Sequence, residues 1–207
     1  MKKKKALIID YQSGNILSVK RAIEYLGYEA KISSDKNLIS DADRLILPGV
    51  GHFGFAMKKL EFFKESILEF LNKKKPFMGI CLGMQLLYEK SEEDNFSNYG
   101  LNIFKGKVIK FPSDNLIIPH IGWNGINLNK YDLEQKIFKN ISENAKFYFV
   151  HSFHCNDLDE STRNIYSNYM GNKFISSTIK DNVFAFQFHP EKSSTQGLQI
   201  YRNFFSI

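Results

Sequence analysis

Residues 76–88 read PFMGICLGMQLLY, a short apolar run that passes directly into a pattern of helical period. The run Pro76–Ile80 predicts a buried strand, and Leu82–Tyr88 predicts a helix that follows it without a connecting loop. Between them stands Cys81, with a glycine two residues away on each side. This strand–turn–helix unit is the centre from which the rest of the fold can be predicted.

The same alternation of short apolar runs and helical patterns extends toward the N-terminus. Strands are predicted at Ala6–Ile9, Glu29–Ile32 and Arg44–Leu47, and helices at Asn15–Leu26 and, in two pieces, Phe53–Asn72. A β-α-β-α-β order predicts a mostly parallel sheet with helices on both faces. The sequence therefore predicts an α/β protein, a three-layer α/β/α fold in which residues 1–207 form a single domain.

The C-terminal half is richer in predicted strands. They are Lys107–Lys110, Gly125–Asn127, Lys146–Val150, Lys173–Ile179 and Val183–Phe188, and a helix at Thr195–Phe205 ends the pattern. Two polar stretches, Asn129–Asn144 and Asn156–Asn172, are predicted to be surface insertions.

Composition narrows the class of protein. The chain of 207 residues is 43% hydrophobic and 24% charged, which is ordinary for a soluble globular protein, and no apolar run is long enough to span a bilayer. Two cysteines do not suggest a disulfide framework, and the N-terminus lacks a secretory cleavage pattern, so a cytoplasmic location is expected. The net charge of +6 includes Lys2–Lys5, which we interpret as a solvated cap on an edge strand. Contact with nucleic acid is not expected because no basic stripe is interleaved with aromatic residues.

The segment Gly79–Gly83 has the form G-x-C-x-G, the cysteine version of a nucleophile elbow. A sharp turn from strand to helix strains the middle residue, and the glycines leave room where the helix passes back over the strand. The thiol of Cys81 then points out at the carboxyl end of the sheet, beside a helix N-terminus that favours a thiolate. The alternative is an inert buried thiol.

A base for this nucleophile is predicted at the end of the last strand. His189 and Glu191 flank Pro190, so one short segment can supply an imidazole and the carboxylate that orients it. The reaction also needs donors for an oxyanion, and the turn Pro48–Gly51 and the N–H of Leu82 are candidates.

These motifs resemble the class I (triad) glutamine amidotransferases, and within that family most resemble the glutaminase subunits of imidazole glycerol phosphate synthases. The similar segments run along almost the whole chain: Asp10–Asn15, Pro48–Gly54, Gly79–Leu87, Pro119–Asn124, Phe149–Ser152 and Gln187–Ser193. Pro-Gly-Val-Gly at 48–51 and Pro-His-Ile-Gly-Trp-Asn at 119–124 discriminate this branch from others.

The resemblance implies a flavodoxin-like fold, and nothing in the chain suggests a cofactor or a metal. Glutamine is hydrolysed through a thioester on Cys81, with His189 and Glu191 completing the triad. The ammonia passes to a (β/α)8-barrel cyclase in a heterodimer, which makes imidazole glycerol phosphate and AICAR in histidine biosynthesis. By the same resemblance Val50 and Gly51 line the oxyanion hole with Leu82. The other implied site residues surround glutamine (Gln85, Glu93, Ser152, Phe153) or face the cyclase (Asn15, Trp123, Tyr148, Lys192).

Two positions depart from the family pattern. Gln12 stands in the first loop where the family usually has glycine, and Phe153 stands where it usually has tyrosine. Gln12 leaves open a second acceptor, because similar subunits supply ammonia to enzymes that amidate surface sugars. A non-catalytic regulatory subunit is a further alternative, against which the intact triad weighs. The glutaminase of pyridoxal phosphate synthesis lacks support at Pro48–Gly51.

Two other chemistries are disfavoured by the sequence. His151, His154 and Cys155 could suggest a metal site, but on one strand the two histidines would point to opposite faces. His120 and Trp123 could line a cofactor pocket, although packing or an interface is the better interpretation. No Gly-rich phosphate loop is present in the sequence.

Overall fold

The computed structural model describes residues 4–112 and 116–207. Its helices are Ile16–Tyr25 (α1), Phe53–Leu60 (α2), Lys64–Asn72 (α3), Leu82–Gln85 (α4), Lys130–Leu133 (α5) and Ser194–Ser206 (α6). The strands of the first half are Lys5–Ile9 (β1), Glu29–Ser33 (β2), Leu45–Leu47 (β3), Phe77–Ile80 (β4), Lys90–Ser91 (β5) and Gly106–Lys110 (β6). Those of the second half are His120–Gly125 (β7), Lys146–His151 (β8), Phe153–Asp157 (β9), Arg163–Tyr169 (β10), Asn172–Lys180 (β11) and Val183–Phe186 (β12).

The main sheet has the strand order β10-β11-β12-β4-β3-β1-β2 in the described part of the chain. The five strands from β12 to β2 are parallel, and β11 and β10 extend the sheet antiparallel at one edge. Parallel strands in the middle of such a sheet must be covered on both faces. The elbow strand β4 lies between β3 and β12, so the loops after these three strands meet at one end.

Side chains of the central strands alternate between two hydrophobic cores. On β1, Ala6 and Ile8 join the core that includes Val19 of α1 and Phe204 of α6. Leu7 and Ile9 join the opposite core, against α2 and α3. Because successive strand residues point to opposite faces, this alternation produces three layers. The predicted three-layer α/β/α fold with a mostly parallel sheet is confirmed.

Two smaller sheets stand beside the main one. β6 pairs antiparallel with β9 and parallel with β5, and β7 pairs antiparallel with β8. The junction between β8 and β9 runs from Val150 to Phe153 and lies close to the elbow, since the Cys81 Sγ is 4.0 Å from the Val150 carbonyl oxygen. These sheets therefore supply a wall opposite the carboxyl end of β4. No helix among residues 4–112 and 116–207 has the length and apolarity needed to cross a bilayer.

Most predicted elements agree with the structure, including the division of 53–72 into two helices by a 3₁₀ turn at Glu61–Phe63. The predicted strand Gly125–Asn127 is wrong, because β7 occupies His120–Gly125 and pairs with β8 throughout. The predicted insertion Asn156–Asn172 is also wrong. It contains the end of β9 and all of β10, the edge strand that buries Ile165 and Ser167.

The structure also differs from the predictions in where α4 ends and where β1 lies in the sheet. The helix predicted over Leu82–Tyr88 ends at Gln85, because the carbonyls of Leu86 and Leu87 accept hydrogen bonds from Leu101 and Ile103 instead. β1 is not an edge strand, since it lies between β3 and β2. Of the N-terminal lysines, Lys2 and Lys3 lie outside the described residues. Lys4 donates to the Phe205 carbonyl near the end of α6.

Candidate active site

Cys81 occupies a strained turn between β4 and α4. Its backbone has φ 53° and ψ −111°, a conformation that side-chain-bearing residues rarely adopt. The Cys81 N–H donates to the Phe186 carbonyl at 2.7 Å, which ties the turn to the end of β12. The residue is 6% exposed, so the thiol lies at the base of a pocket and not on an open surface.

The two glycines of the elbow are required by close backbone contacts. A Cβ on Gly83 would lie 1.9 Å from the Leu47 carbonyl oxygen, where α4 crosses the end of β3. A Cβ on Gly79 would lie 2.9 Å from the Gly83 carbonyl oxygen. Both distances are shorter than any van der Waals contact. The spacing G-x-C-x-G therefore follows from how tightly the helix returns over the strand.

His189 follows β12 and is completely buried. Its backbone N–H donates to the Tyr148 carbonyl at 2.9 Å, and this bond links the segment to β8. Pro190 begins a 3₁₀ turn over Pro190–Lys192, and this turn brings the Glu191 carboxylate back to the ring. The distance from Nδ1 of His189 to Oε1 of Glu191 is 2.7 Å. Because an ionised carboxylate only accepts, Nδ1 carries a proton and Nε2 is left as the atom that can exchange one.

Asn15 contacts the same carboxylate. Its side-chain Nδ2 donates to Oε1 of Glu191 and lies 3.2 Å from Nδ1 of His189. Asn15 has φ 77° at the start of α1, a left-handed conformation that asparagine tolerates. The first loop thus reaches both His189 and Glu191. The resemblance had implied only that Asn15 faces a partner.

The electrostatics of His189 differ from those of the other buried histidines. Burial alone would lower its pKa, but the negative charges of Cys81 and Glu191 outweigh burial and raise the pKa to about 10. Burial lowers the pKa of His151 to about 3 and that of His120 to about 4. His189 is therefore the buried imidazole suited to hold a proton taken from a thiol, as a thiolate–imidazolium pair.

A cavity of about 310 Å³ opens above Cys81. The residues predicted to surround glutamine all line it, and Glu93 is held there because its Oε2 accepts from the Phe53 N–H at 2.7 Å. Gln85 Nε2 donates to the Phe153 carbonyl at 3.0 Å. The lining comprises Val50, Gly51, Cys81, Leu82, Gln85, Glu93, Pro119, Val150, His151, Ser152 and Phe153.

Two predicted oxyanion donors are already occupied in this structure. The Val50 N–H donates to the Ser13 hydroxyl at 3.0 Å, and the Leu82 N–H donates to the Gly49 carbonyl at 3.3 Å. The Gly49 carbonyl therefore engages the Leu82 N–H, which is one of the donors that an oxyanion hole would need. Val50, Gly51 and Leu82 are brought to the cavity as predicted, but the 49–50 peptide is not oriented to stabilise negative charge.

Sequence reasoning missed two contacts of the site. Gln187 Nε2 lies 3.7 Å from the Cys81 sulfur, and Gln187 Oε1 accepts from Gln85 at 3.1 Å. Its position two residues before His189, directly after the strand β12 that pairs with the elbow strand, is a signal that could have identified it. The Ser13 contact with Val50 joins segments 37 residues apart and has no local signal.

The remaining residues predicted to face a partner are Trp123, Tyr148 and Lys192. They lie together near His189, since the Tyr148 and His189 ring centroids are 6.5 Å apart. Trp123 is 53% exposed and packs edge-on against Tyr148, with ring centroids 6.3 Å apart. The Lys192 ammonium lies 5.7 Å from the centre of the Tyr148 ring. The backbone of Gln12 has φ 62°, a left-handed conformation that glycine adopts most easily. The Gln12 side-chain oxygen accepts a hydrogen bond from the Lys59 ammonium.

His151, His154 and Cys155 are not arranged as a set of metal ligands. Within 4–112 and 116–207, no group of three or more His, Cys, Asp or Glu side chains is placed to hold an ion. The expectation that His151 and His154 point to opposite faces is wrong, since the chain changes strand at Ser152 and both rings lie against Phe111. His120 and Trp123 do not form one aromatic pocket: His120 is buried against Phe149 and Trp123 is exposed.

Known proteins are similar to this chain in sequence and in fold. The chain is 46% identical over 197 residues to imidazole glycerol phosphate synthase subunit HisH of Pyrococcus furiosus, covering 95% of this chain and 96% of that one. It is also 46% identical over 203 residues to the HisH subunit of Aquifex aeolicus, covering 97% and 95%. The solved structure of PurLQS from Thermotoga maritima superposes with a TM-score of 0.73 at 19% identity, covering 99% and 98%, which supports the fold.

One family model matches nearly the whole chain. The family model of glutamine amidotransferase class-I matches residues 7–207, a range that includes the elbow, the cavity and the His-Pro-Glu turn. Because this model covers nearly all of the chain and the HisH relatives are 46% identical to it, the chain belongs to the class I glutamine amidotransferase family.

Proposed function

We propose that this chain is the glutaminase subunit of an imidazole glycerol phosphate synthase, in which residues 1–207 act as one domain. The observation that carries the proposal is the arrangement of Cys81, His189 and Glu191 below a cavity of a size suited to one amino acid. The relatives at 46% identity, named as subunits of that synthase, support the choice of branch.

The chemistry follows from the roles of the three side chains. The Cys81 thiolate attacks the amide carbon of glutamine, and the carbonyl oxygen becomes an oxyanion. His189 gives its Nε2 proton to the leaving nitrogen, so ammonia departs and a thioester remains. His189 then takes a proton from water, the resulting hydroxide attacks the thioester, and glutamate leaves with the thiolate restored. Glu191 holds the ring throughout.

The oxyanion step requires a change in the 49–50 peptide. Because Val50 N–H and Leu82 N–H are engaged in this conformation, the first intermediate lacks donors until these bonds are exchanged. We assign the trigger to a partner that docks beside Asn15 and Trp123, near the triad. A resting enzyme in this conformation hydrolyses glutamine slowly, which prevents loss of ammonia to solvent.

The partner in this proposal is a (β/α)8-barrel cyclase that consumes the ammonia. The exposed indole of Trp123 and the Tyr148 ring are aromatic side chains of the kind enriched at protein interfaces. The Lys192 ammonium adds one positive charge beside them. Ammonia released at Cys81 must leave the cavity toward this surface to reach the acceptor.

The test is a pair of assays on the complex with a barrel cyclase. Cys81→Ala should abolish synthesis that uses glutamine and leave synthesis that uses added ammonia intact, because only the nucleophile is removed. Loss of both activities would contradict the assignment. Glutamine hydrolysis stimulated by a sugar amidotransferase and not by a cyclase would favour the surface-sugar acceptor. Hydrolysis that survives Cys81→Ala would support a regulatory role for this chain.

A further inference from the structure

The two oxygens of the Glu191 carboxylate differ in their hydrogen bonds. Glu191 Oε1 accepts from both His189 and Asn15, whereas Oε2 is buried and accepts no hydrogen bond from the residues that the structure describes. A buried carboxylate oxygen without a donor is costly, particularly when the group must keep its charge during turnover. A donor for Oε2 would therefore stabilise the triad.

Helix α6 brings a candidate donor toward this oxygen. At Gly197 the helix passes so close to the triad turn that a Cβ there would lie 2.0 Å from the Pro190 carbonyl oxygen. Tyr201 follows four residues later and so lies on the same face of α6. Helical side chains point back toward the N-terminus, and Gly197 has no side chain to block the ring. The Tyr201 ring is thus directed toward the turn that carries Glu191.

The Tyr201 hydroxyl, like Glu191 Oε2, is a buried polar group that lacks a hydrogen-bond partner within the described part of the chain. Tyr201 is fully buried, and among the described residues its hydroxyl has no hydrogen-bond partner. Burial, together with the nearby negative charge of Glu191, raises the pKa of Tyr201 well above its ordinary value. The phenol therefore keeps its proton at neutral pH, and donating that proton to a carboxylate would be stabilising.

We propose that Tyr201 is a positioning residue of the triad. Its hydroxyl turns to donate to Oε2 of Glu191, a hydrogen bond that the conformation in this structure does not make, and so fixes the carboxylate behind His189. This inference rests on the proposed glutaminase triad and extends it to the C-terminal helix. In this arrangement Asn15 and His189 hold one carboxylate oxygen and Tyr201 holds the other. Rotation of the carboxylate away from the ring would then break three contacts at once.

The test compares two buried tyrosines in the full-length chain. Tyr201→Phe removes one hydroxyl and keeps the ring in the core. Tyr88→Phe is the matched control, since Tyr88 is equally buried but its hydroxyl bonds to Thr178 at 2.7 Å. The readout is the rate of Cys81 alkylation by iodoacetamide between pH 5 and 10, which follows the thiolate and needs no partner protein.

The expected result is a change confined to Tyr201→Phe. Its alkylation rate at pH 7 should fall about tenfold, the effect of losing one hydrogen bond to a charged group, and its profile should shift to higher pH. Tyr88→Phe should leave the profile in place. A Tyr201→Phe profile that superposes on that of the wild type would overturn the inference.

A double-mutant cycle separates positioning from general packing. If Tyr201 acts through Glu191, then Tyr201→Phe should cause no further loss in a Glu191→Gln background. Losses that simply add would contradict the inference. Failure of the glutaminase proposal has a different signature, because wild-type Cys81 would then react no faster than a free thiol and all variants would match it.

Discussion

The N–H of Val50 donates a 3.0 Å hydrogen bond to the Ser13 hydroxyl, and the same hydroxyl donates to the Val50 carbonyl at 3.3 Å. One side chain of the first loop thus holds both polar groups of a residue in the oxyanion turn. The donor that hydrolysis needs is kept away from the cavity by a contact on the face where we place the partner.

Removing this contact should activate the isolated subunit. Ser13→Ala deletes both hydrogen bonds. A net loss of about 1 kcal/mol shifts the turn about fivefold toward conformations with a free Val50 N–H. We expect partner-independent glutamine hydrolysis, measured as glutamate release, to rise by a similar factor. Ser40→Ala is the control, because Ser40 donates to the Asn37 carbonyl on another surface. Unchanged or lower basal hydrolysis in Ser13→Ala would contradict this account of the resting state.

Glu191→Gln should impair the triad without removing a reacting group. The amide cannot replace the charge that helps to raise the His189 pKa, so the imidazolium holds its proton less firmly. We expect kcat for glutamine hydrolysis by the complex to fall at least about 100-fold, in line with loss of the orienting carboxylate in other triads. Steady-state kinetics should show this fall in kcat with KM nearly unchanged. A raised KM with an unchanged kcat would refute the orienting role.

The raised pKa of His189 also predicts how stability varies with pH. The folded-state pKa of about 10 exceeds the ordinary value of 6.5. The stabilisation from the charged ring is therefore complete below pH 6.5 and is lost as the pH rises through about 10. The free energy of unfolding of the wild type minus that of His189→Gln should decline from pH 6 to pH 10 in urea titrations. A difference that grows with pH would show that His189 is neutral in the folded state.

The elbow glycine Gly83 should tolerate no side chain. Gly83→Ala places a methyl group 1.9 Å from the Leu47 carbonyl oxygen, which forces the backbone of α4 or β3 to move. We expect a loss of about 3 kcal/mol in the free energy of unfolding. The control is Gly125→Ala, where the nearest atom is 4.0 Å away and the change should stay within about 1 kcal/mol. Equal effects of the two substitutions would argue against a tight crossing at the elbow.

Features set by short segments were predictable from the sequence. The elbow could be identified because Gly79, Cys81 and Gly83 are constrained by one local turn, and the triad turn because Pro190 fixes the spacing of His189 and Glu191. The parallel sheet followed from runs of apolar residues, which burial on both faces requires.

Features set by distant contacts were not predictable. β7 contains Gly122 and Gly125, residues with low strand propensity, and forms because it pairs with β8. β10 is polar at its edge position, so its sequence resembled a surface insertion. The hydrogen bonds of Ser13 with Val50 and of Asn15 with Glu191 join segments far apart in the chain, and only the folded structure brings them together.

The central claim is that Cys81 is the nucleophile that attacks glutamine. The most direct test is mass spectrometry of the complex after treatment with a glutamine-like diazoketone, which alkylates a nucleophile that binds the glutamine side chain. We predict one adduct, on the peptide that contains Cys81, with free glutamine slowing its formation and Cys81→Ala abolishing it. An adduct on Cys155, or labelling of Cys81 that glutamine does not slow, would contradict the claim.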